Sequence, residues 1–143
     1  FSQDWVEPLA RVLKQLGSQH VLVVHAEDGL DEISIAAPTR VAELRDGEIS
    51  TYTVTPEQFG MQLAALDAIA VADAAQSLAM IGAVFEGQPG PARDIVCLNA
   101  GAAIYAADLT TSLQQGVERA GEAIASGRAR QTLASLVEVS NAV

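Results

Sequence analysis

The sequence carries one cysteine, Cys97, so no disulfide can form within the chain, and no pair of Cys or His residues stands at zinc-ligand spacing. Cys97 lies in the apolar run Ile95-Val96-Cys97-Leu98 with no charged residue beside it to activate the thiol, and it reads as a small core hydrophobe. A glycine-rich phosphate loop is missing, because Gly82, Gly87 and Gly90 lack the following Lys-Ser/Thr, and there is no G-x-S-x-G elbow. Long apolar runs are missing too: the uncharged stretches between Asp73 and Glu86 and between Asp94 and Asp108 fall short of the ~20 residues a membrane span needs. Nothing near Phe1 reads as a secretory signal, so the cytoplasm is the expected location. Positive charge is the last scarcity. Eight Lys and Arg against eighteen Asp and Glu leave a formal charge of −10 with no basic cluster. Nucleic acid is thereby excluded as an expected partner, and a phosphorylated ligand would need a metal ion or basic residues supplied from elsewhere.

What is present is apolar bulk. Half of the 143 residues are hydrophobic, which suits one domain with a real core. The chain opens on Phe1 rather than methionine and enters an amphipathic segment almost at once, so a continuation upstream is expected. Trp5, Leu9, Val12, Leu13 and Leu16 are spaced as one helical stripe, with Ser2 placed to cap the start, Pro8 tolerated in the first turns and Gly17 at the end. Val21-Leu22-Val23-Val24 follows and reads as a strand buried on both faces. Helix followed by buried strand is the second half of a βαβ unit, whose first strand would precede Phe1.

Beyond that strand, Ile33-Ser34-Ile35 alternates as a short strand closed by Pro38. Residues 40–44 alternate as well, Asp46-Gly47 is a two-residue hairpin signal, and residues 49–54 are rich in Thr, Tyr and Val, so a β-hairpin is expected here. Thr55-Pro56-Glu57 reads as a helix start with Thr as cap, and from there strands give way to helices. One helix carries the stripe Ala74, Leu78, Ile81 and Phe85 up to Gly87. Pro91 opens a nearly all-apolar helix toward Tyr105, expected to be central and buried. Leu113, Val117, Ala120 and Ile124 mark a helix stopped by Gly127, and Leu133, Leu136 and Val137 mark the last. No internal repeat is visible. The fold class is α/β: a mixed, mostly parallel sheet with a β-hairpin and surrounding helices.

The densest group of ionisable residues is His25, Glu27, Asp28, Asp31 and Glu32, directly after the buried strand, where ligands gather in open α/β sheets. Gly29 permits positive φ and can aim Asp31 and Glu32 into one cleft although a regular strand would point them oppositely. Paired carboxylates are hard oxygen ligands that suit magnesium, which keeps several waters and is shared with substrate phosphates. The same pattern also fits a solvated turn, with Asp31 capping it and Glu32 facing water. A lone histidine ending a strand, such as His25, is more often hydrogen-bonded structure than a catalytic base. Asn99, polar inside the apolar helix, is expected to make structural hydrogen bonds that tie helix to loop.

Val23-Val24-His25, Asp28-Gly29-Leu30-Asp31-Glu32-Ile33-Ser34, Val41-Ala42-Glu43-Leu44 and Gly47-Glu48-Ile49 follow one another in an order and spacing that resembles the anthranilate phosphoribosyltransferases. Further segments agree: Thr55 to Gly60, Arg93 to Ala100, Ser112-Leu113 with Gly116-Val117, and Ala123 to Ala129. The resemblance covers nearly the whole chain. It implies that residues 1–143 are the C-terminal part of the α/β phosphoribosyltransferase domain, lacking the N-terminal helical domain and the phosphoribosyl-diphosphate loop. It further implies that Asp31 and Glu32 hold magnesium bridging to phosphoribosyl pyrophosphate, that anthranilate is the acceptor in a step of tryptophan biosynthesis, and that the full enzyme is a homodimer through its helical domain. No covalent nucleophile is implied. Where the family usually has Gly after the strand histidine this chain has Ala26, and where it has Asn in the helix after the hairpin this chain has Ser77. A related nucleoside phosphorylase, or a non-catalytic paralogue that binds a partner, are the competing expectations. The segment alone is expected to bind magnesium weakly and to turn over nothing.

Overall fold

The computed structural model describes residues 2–142. A short 3-10 turn over Gln3–Trp5 is capped by the Ser2 hydroxyl, which accepts from the Asp4 amide at 3.2 Å, and leads into helix α1, Val6–Gln15. Strands β1 (Val21–Ala26), β2 (Thr39–Arg45) and β3 (Glu48–Val54) form one sheet in the order β1-β2-β3. Helices α2 (Ala74–Phe85), α3 (Pro91–Ala106), α4 (Leu113–Ala125) and α5 (Arg128–Asn141) complete the chain.

The α/β class holds, but strand direction differs from expectation. Both pairings among the described residues are antiparallel, Val21 opposite Leu44 and Arg45 opposite Glu48 at their ends. The reason is local: a loop over residues 27–38 returns β2 beside β1 with no crossover helix, and Glu27 N–H closes it on the Pro38 carbonyl at 2.9 Å. The hairpin forms as expected. Asp46 and Gly47 take φ of 51° and 79°, the two positive values that a primed turn needs to match strand twist.

β2 is covered on both faces and is the most buried strand. Ala42 packs on Val6 and Ala10 of α1, while Val41 joins Ile33, Ile35, Leu98 and Ile124 in the larger core against α3 and α4. β1 is only half-buried and has a single neighbour among the described residues, so its unbroken apolar run does not bury both faces. The helical stripe of α1 is also reversed. Val6 and Ala10 face the sheet, whereas Trp5, Leu9, Val12 and Leu16 are exposed, Leu16 by 76 %. The larger residues are thus on the outer side, and the smaller ones allow the helix to lie close on Ala42.

Ile33-Ser34-Ile35, expected as a short strand, is not one, and all three residues are buried. Its polar backbone is satisfied by side chains rather than by a neighbouring strand, as described below. The Thr55-Pro56 start opens only a 3-10 turn, Pro56–Phe59, with the Gln58 side chain accepting from the Thr55 amide at 3.3 Å. Residues 61–73 then run irregularly apart from a 3-10 turn at Leu66–Ile69. α3 is central, with Cys97, Leu98, Gly101 and Tyr105 buried; burial pushes the Cys97 thiol up, in line with an inert core cysteine. α5 buries no residue.

A buried polar network that no local sequence pattern announces lies on the α3 side of the sheet. Glu43, in register with Val41, accepts from Tyr105 Oη at 2.6 Å and from Tyr52 Oη at 2.9 Å. His20 lies 3.2 Å from Glu43 and 2.8 Å from Asp108, and its ring meets Tyr105 edge-on at 4.7 Å. Arg45 donates to Tyr105 Oη at 2.8 Å. Burial first, then the hydrogen bond to Glu43, raises both phenols above their ordinary value, Tyr52 the more strongly. A phenol with a raised folded pKa contributes stability that is complete below pH ~10 and is lost as pH climbs through the folded value. Tyr52 and Tyr105 are the only tyrosines in the chain. Absorbance at 295 nm should therefore stay flat past pH ~10 and rise only together with loss of the circular-dichroism signal. Half of the phenolate signal appearing near pH ~10 with the fold intact would contradict the network.

Candidate active site

The loop between β1 and β2 sorts its acidic residues by backbone geometry. Gly29, with φ of 91°, reverses the chain, and the Gly29 and Ala26 amides donate to the Ala26 and Leu30 carbonyls at 2.9 and 3.1 Å. Asp28 is consumed inside the turn: one oxygen accepts from the Leu30 amide at 3.0 Å and the other from Ser34 Oγ at 2.5 Å. Glu27 points to another side of the molecule, beside Arg40 and Thr53. Asp31 and Glu32 are left exposed, and both line a cleft of about 650 Å³.

The remaining walls of that cleft come from the helices. Leu78, Ile81 and Phe85 of α2, from the apolar stripe read in the sequence, face the cleft, with Leu78 69 % exposed. Ile95 and Val96 of α3 and Leu133 of α5 also line it. Among the described residues Ser77 is the one further polar residue on the lining, and no basic residue lines it. His25 does not line it; it sits on β1 opposite Arg40. Ala26 is fully buried at the end of β1, so its methyl group is accommodated inside the fold.

The loop is held to the cleft wall by Asn99. Its Oδ1 accepts from the Ile33 amide at 2.8 Å, and its Nδ2 donates to the Ile33 carbonyl at 2.9 Å and to the Ile95 carbonyl at 3.0 Å. The expected tie between helix and loop is therefore present. Downstream, the Ser34 amide donates to Thr39 Oγ1 at 3.1 Å and Ser34 Oγ accepts from the Ala36 amide at 2.9 Å. These bonds supply what a strand partner would have supplied, which explains a buried segment without a ladder.

Chemically, the arrangement offers two oxygen donors at the rim of an apolar cleft. Neither carboxylate is paired with a cation among the described residues. Among the described residues no group of three or more His, Cys, Asp or Glu side chains is assembled there; two carboxylates completed by water and phosphate oxygens fit magnesium. An anion approaching Asp31 and Glu32 would be repelled unless a cation intervened.

The glycosyl transferase family, a/b domain, matches residues 1–130. Among curated relatives, the anthranilate phosphoribosyltransferase of Thioalkalivibrio sulfidiphilus is 66% identical over 137 residues, covering 96% of this chain and 40% of that protein. That of Methylococcus capsulatus is 63% identical over 140 residues, covering 98% and 41%. Among solved structures, anthranilate phosphoribosyltransferase from Thermus thermophilus superposes with a TM-score of 0.86 at 39% identity, over 96% of this chain and 40% of that one. The Saccharomyces cerevisiae enzyme in complex with PRPP and Mg superposes with a TM-score of 0.87 over the whole chain and 42% of that one; at 19% identity it shows the shared fold. The chain thus spans about 40% of the length of the curated relatives it matches.

Proposed function

Since the chain belongs to the glycosyl transferase family, a/b domain, we propose that it is the C-terminal part of an anthranilate phosphoribosyltransferase. The reaction joins the anthranilate amine to the anomeric carbon of phosphoribosyl pyrophosphate and releases pyrophosphate, a step of tryptophan biosynthesis. The observation that carries this reading is the pair Asp31 and Glu32 at the rim of the cleft, unpaired with any basic side chain, in a chain 66% identical to a relative bearing that name.

In this reading Asp31 and Glu32 hold magnesium. When bound, the ion would neutralise charge building on the departing diphosphate, the main electrostatic help such a substitution needs. The protein's part is to keep the two carboxylates at a fixed place beside the cleft, which Asn99, Asp28 and Ser34 do through the bonds given above. Because the cleft lining has no basic residue, contacts to the phosphates and to the anthranilate carboxylate come from residues outside these 143, as would the helical domain that makes a cytoplasmic homodimer.

A chimaera tests the reading. Residues 1–143 are joined to the preceding portion of the Thioalkalivibrio sulfidiphilus relative, and loss of anthranilate is followed with phosphoribosyl pyrophosphate and magnesium. Turnover of anthranilate, no phosphorolysis of pyrimidine nucleosides, and no turnover by residues 1–143 alone are expected. A chimaera that folds as a dimer yet consumes only nucleosides would assign the segment to a phosphorylase.

A further inference from the structure

We infer that Asn99 is a positioning residue for the carboxylate pair, an assignment that rests on the magnesium reading of Asp31 and Glu32. Glu32 is followed by Ile33, whose amide and carbonyl both bond the Asn99 side chain, at 2.8 and 2.9 Å. A primary amide offers a donor and an acceptor side by side, so it copies the double exchange between paired strand residues, with a helix standing where the neighbouring strand would be. Two bonds to one residue fix the peptide planes on both sides of Ile33, and one of those planes is the Glu32-Ile33 peptide. The Ile33 side chain, 1 % exposed, anchors the same point from the core side.

The third bond, from Nδ2 to the Ile95 carbonyl at 3.0 Å, sets the rotation of the amide relative to α3. Ile95 is itself part of the cleft wall. One side chain thereby refers both the carboxylates and this part of the cleft wall to a common frame. Among the described residues no other side chain hydrogen-bonds the backbone of residues 31–33; Asp28, Ser34 and Thr39 hold the loop on either side of it. Leucine has nearly the shape of asparagine but none of these bonds, and it would leave the Ile33 amide and carbonyl buried without partners, so the segment must re-register.

The test uses isotope-labelled chain and Mn2+ alone as the magnesium probe, reading paramagnetic broadening of the amides of residues 30–34. Broadening centred on Asp31 and Glu32 is expected for the unaltered sequence. In Asn99→Leu the Mn2+ concentration for half-broadening should rise by about tenfold or more, the scale seen when a group supporting a metal ligand is lost. Ile124→Val, a core truncation at an α4 residue that is neither in the loop nor on the cleft lining, should leave that concentration within about twofold of the parent. If Asp31→Asn with Glu32→Gln leaves the broadening in place, the metal reading itself is wrong. If that pair abolishes it while Asn99→Leu behaves like Ile124→Val, the metal reading stands and the positioning role of Asn99 is refuted.

Discussion

Gly116→Ala should lower the melting temperature by roughly 10 °C or more, the upper end of what overpacking costs in a domain of this size. A Cβ at Gly116 would lie 2.2 Å from the Gly101 carbonyl oxygen and 3.0 Å from its carbon. One at Gly101 would lie 2.6 Å from both Cα and N of Val117. The obstructing atoms are backbone, so no rotamer change can relieve them, and α3 and α4 would have to part along their whole crossing. Leu98, Val117 and Ala120, buried close to that crossing, would lose their packing together. Gly121→Ala is the matched control on the same helix: its Cβ would meet only Arg93 Nη2 at 3.7 Å, an ordinary contact. Replacing an interior helical glycine there should be neutral or stabilising by up to about 1 kcal/mol. Thermal melts of the two variants decide the matter, and a Gly116→Ala melt within ~2 °C of the parent would mean that the helices do not cross this closely.

That crossing also shows what residue patterns convey. Gly116 and Gly101 lie within helical runs, where spacing alone gives no hint that two backbones touch. Patterns along one element were readable: the Asp46-Gly47 hairpin, the Pro91 start of α3 and the Ser2 cap of the first turn, whose hydroxyl accepts from the Asp4 amide at 3.2 Å. Patterns that depend on which side is covered were less so. The stripes Trp5-Leu9-Val12-Leu16 and Leu78-Ile81-Phe85 are apolar, yet the first is exposed and the second lines a cleft, because amphipathicity records that a face is to be covered, not by what. Likewise Glu43 sits inward by simple alternation with Val41, but only the fold brings His20, Tyr52 and Tyr105 to it from three separate elements. For the site, the acidic turn was visible as a group; its division into Asp28 as a structural acceptor and Asp31 with Glu32 at the cleft needed the geometry of Gly29 and Ser34.

Asp31→Asn combined with Glu32→Gln, introduced into the chimaera, should reduce kcat/KM for phosphoribosyl pyrophosphate by about a hundredfold or more, equivalent to roughly 2.7 kcal/mol of transition-state stabilisation. Both side chains are exposed and make no ion pair among the described residues, so the exchange removes oxygen ligands without disturbing packing, and stability should change by no more than ~0.5 kcal/mol. Raising magnesium should recover part of the rate if the loss lies in holding the ion. Asp28→Ala makes the converse case. It removes the acceptor for the Leu30 amide and Ser34 Oγ, so it should destabilise the fold by about 1–2 kcal/mol and lower activity only through disorder of the loop. Two neighbouring carboxylates, three residues from a third, are thus expected to separate cleanly in a paired measurement of melting temperature and kcat/KM. Should the Asp31 and Glu32 exchange lower stability while sparing the rate, those residues would be part of the scaffold, and the ion would have to be held from elsewhere.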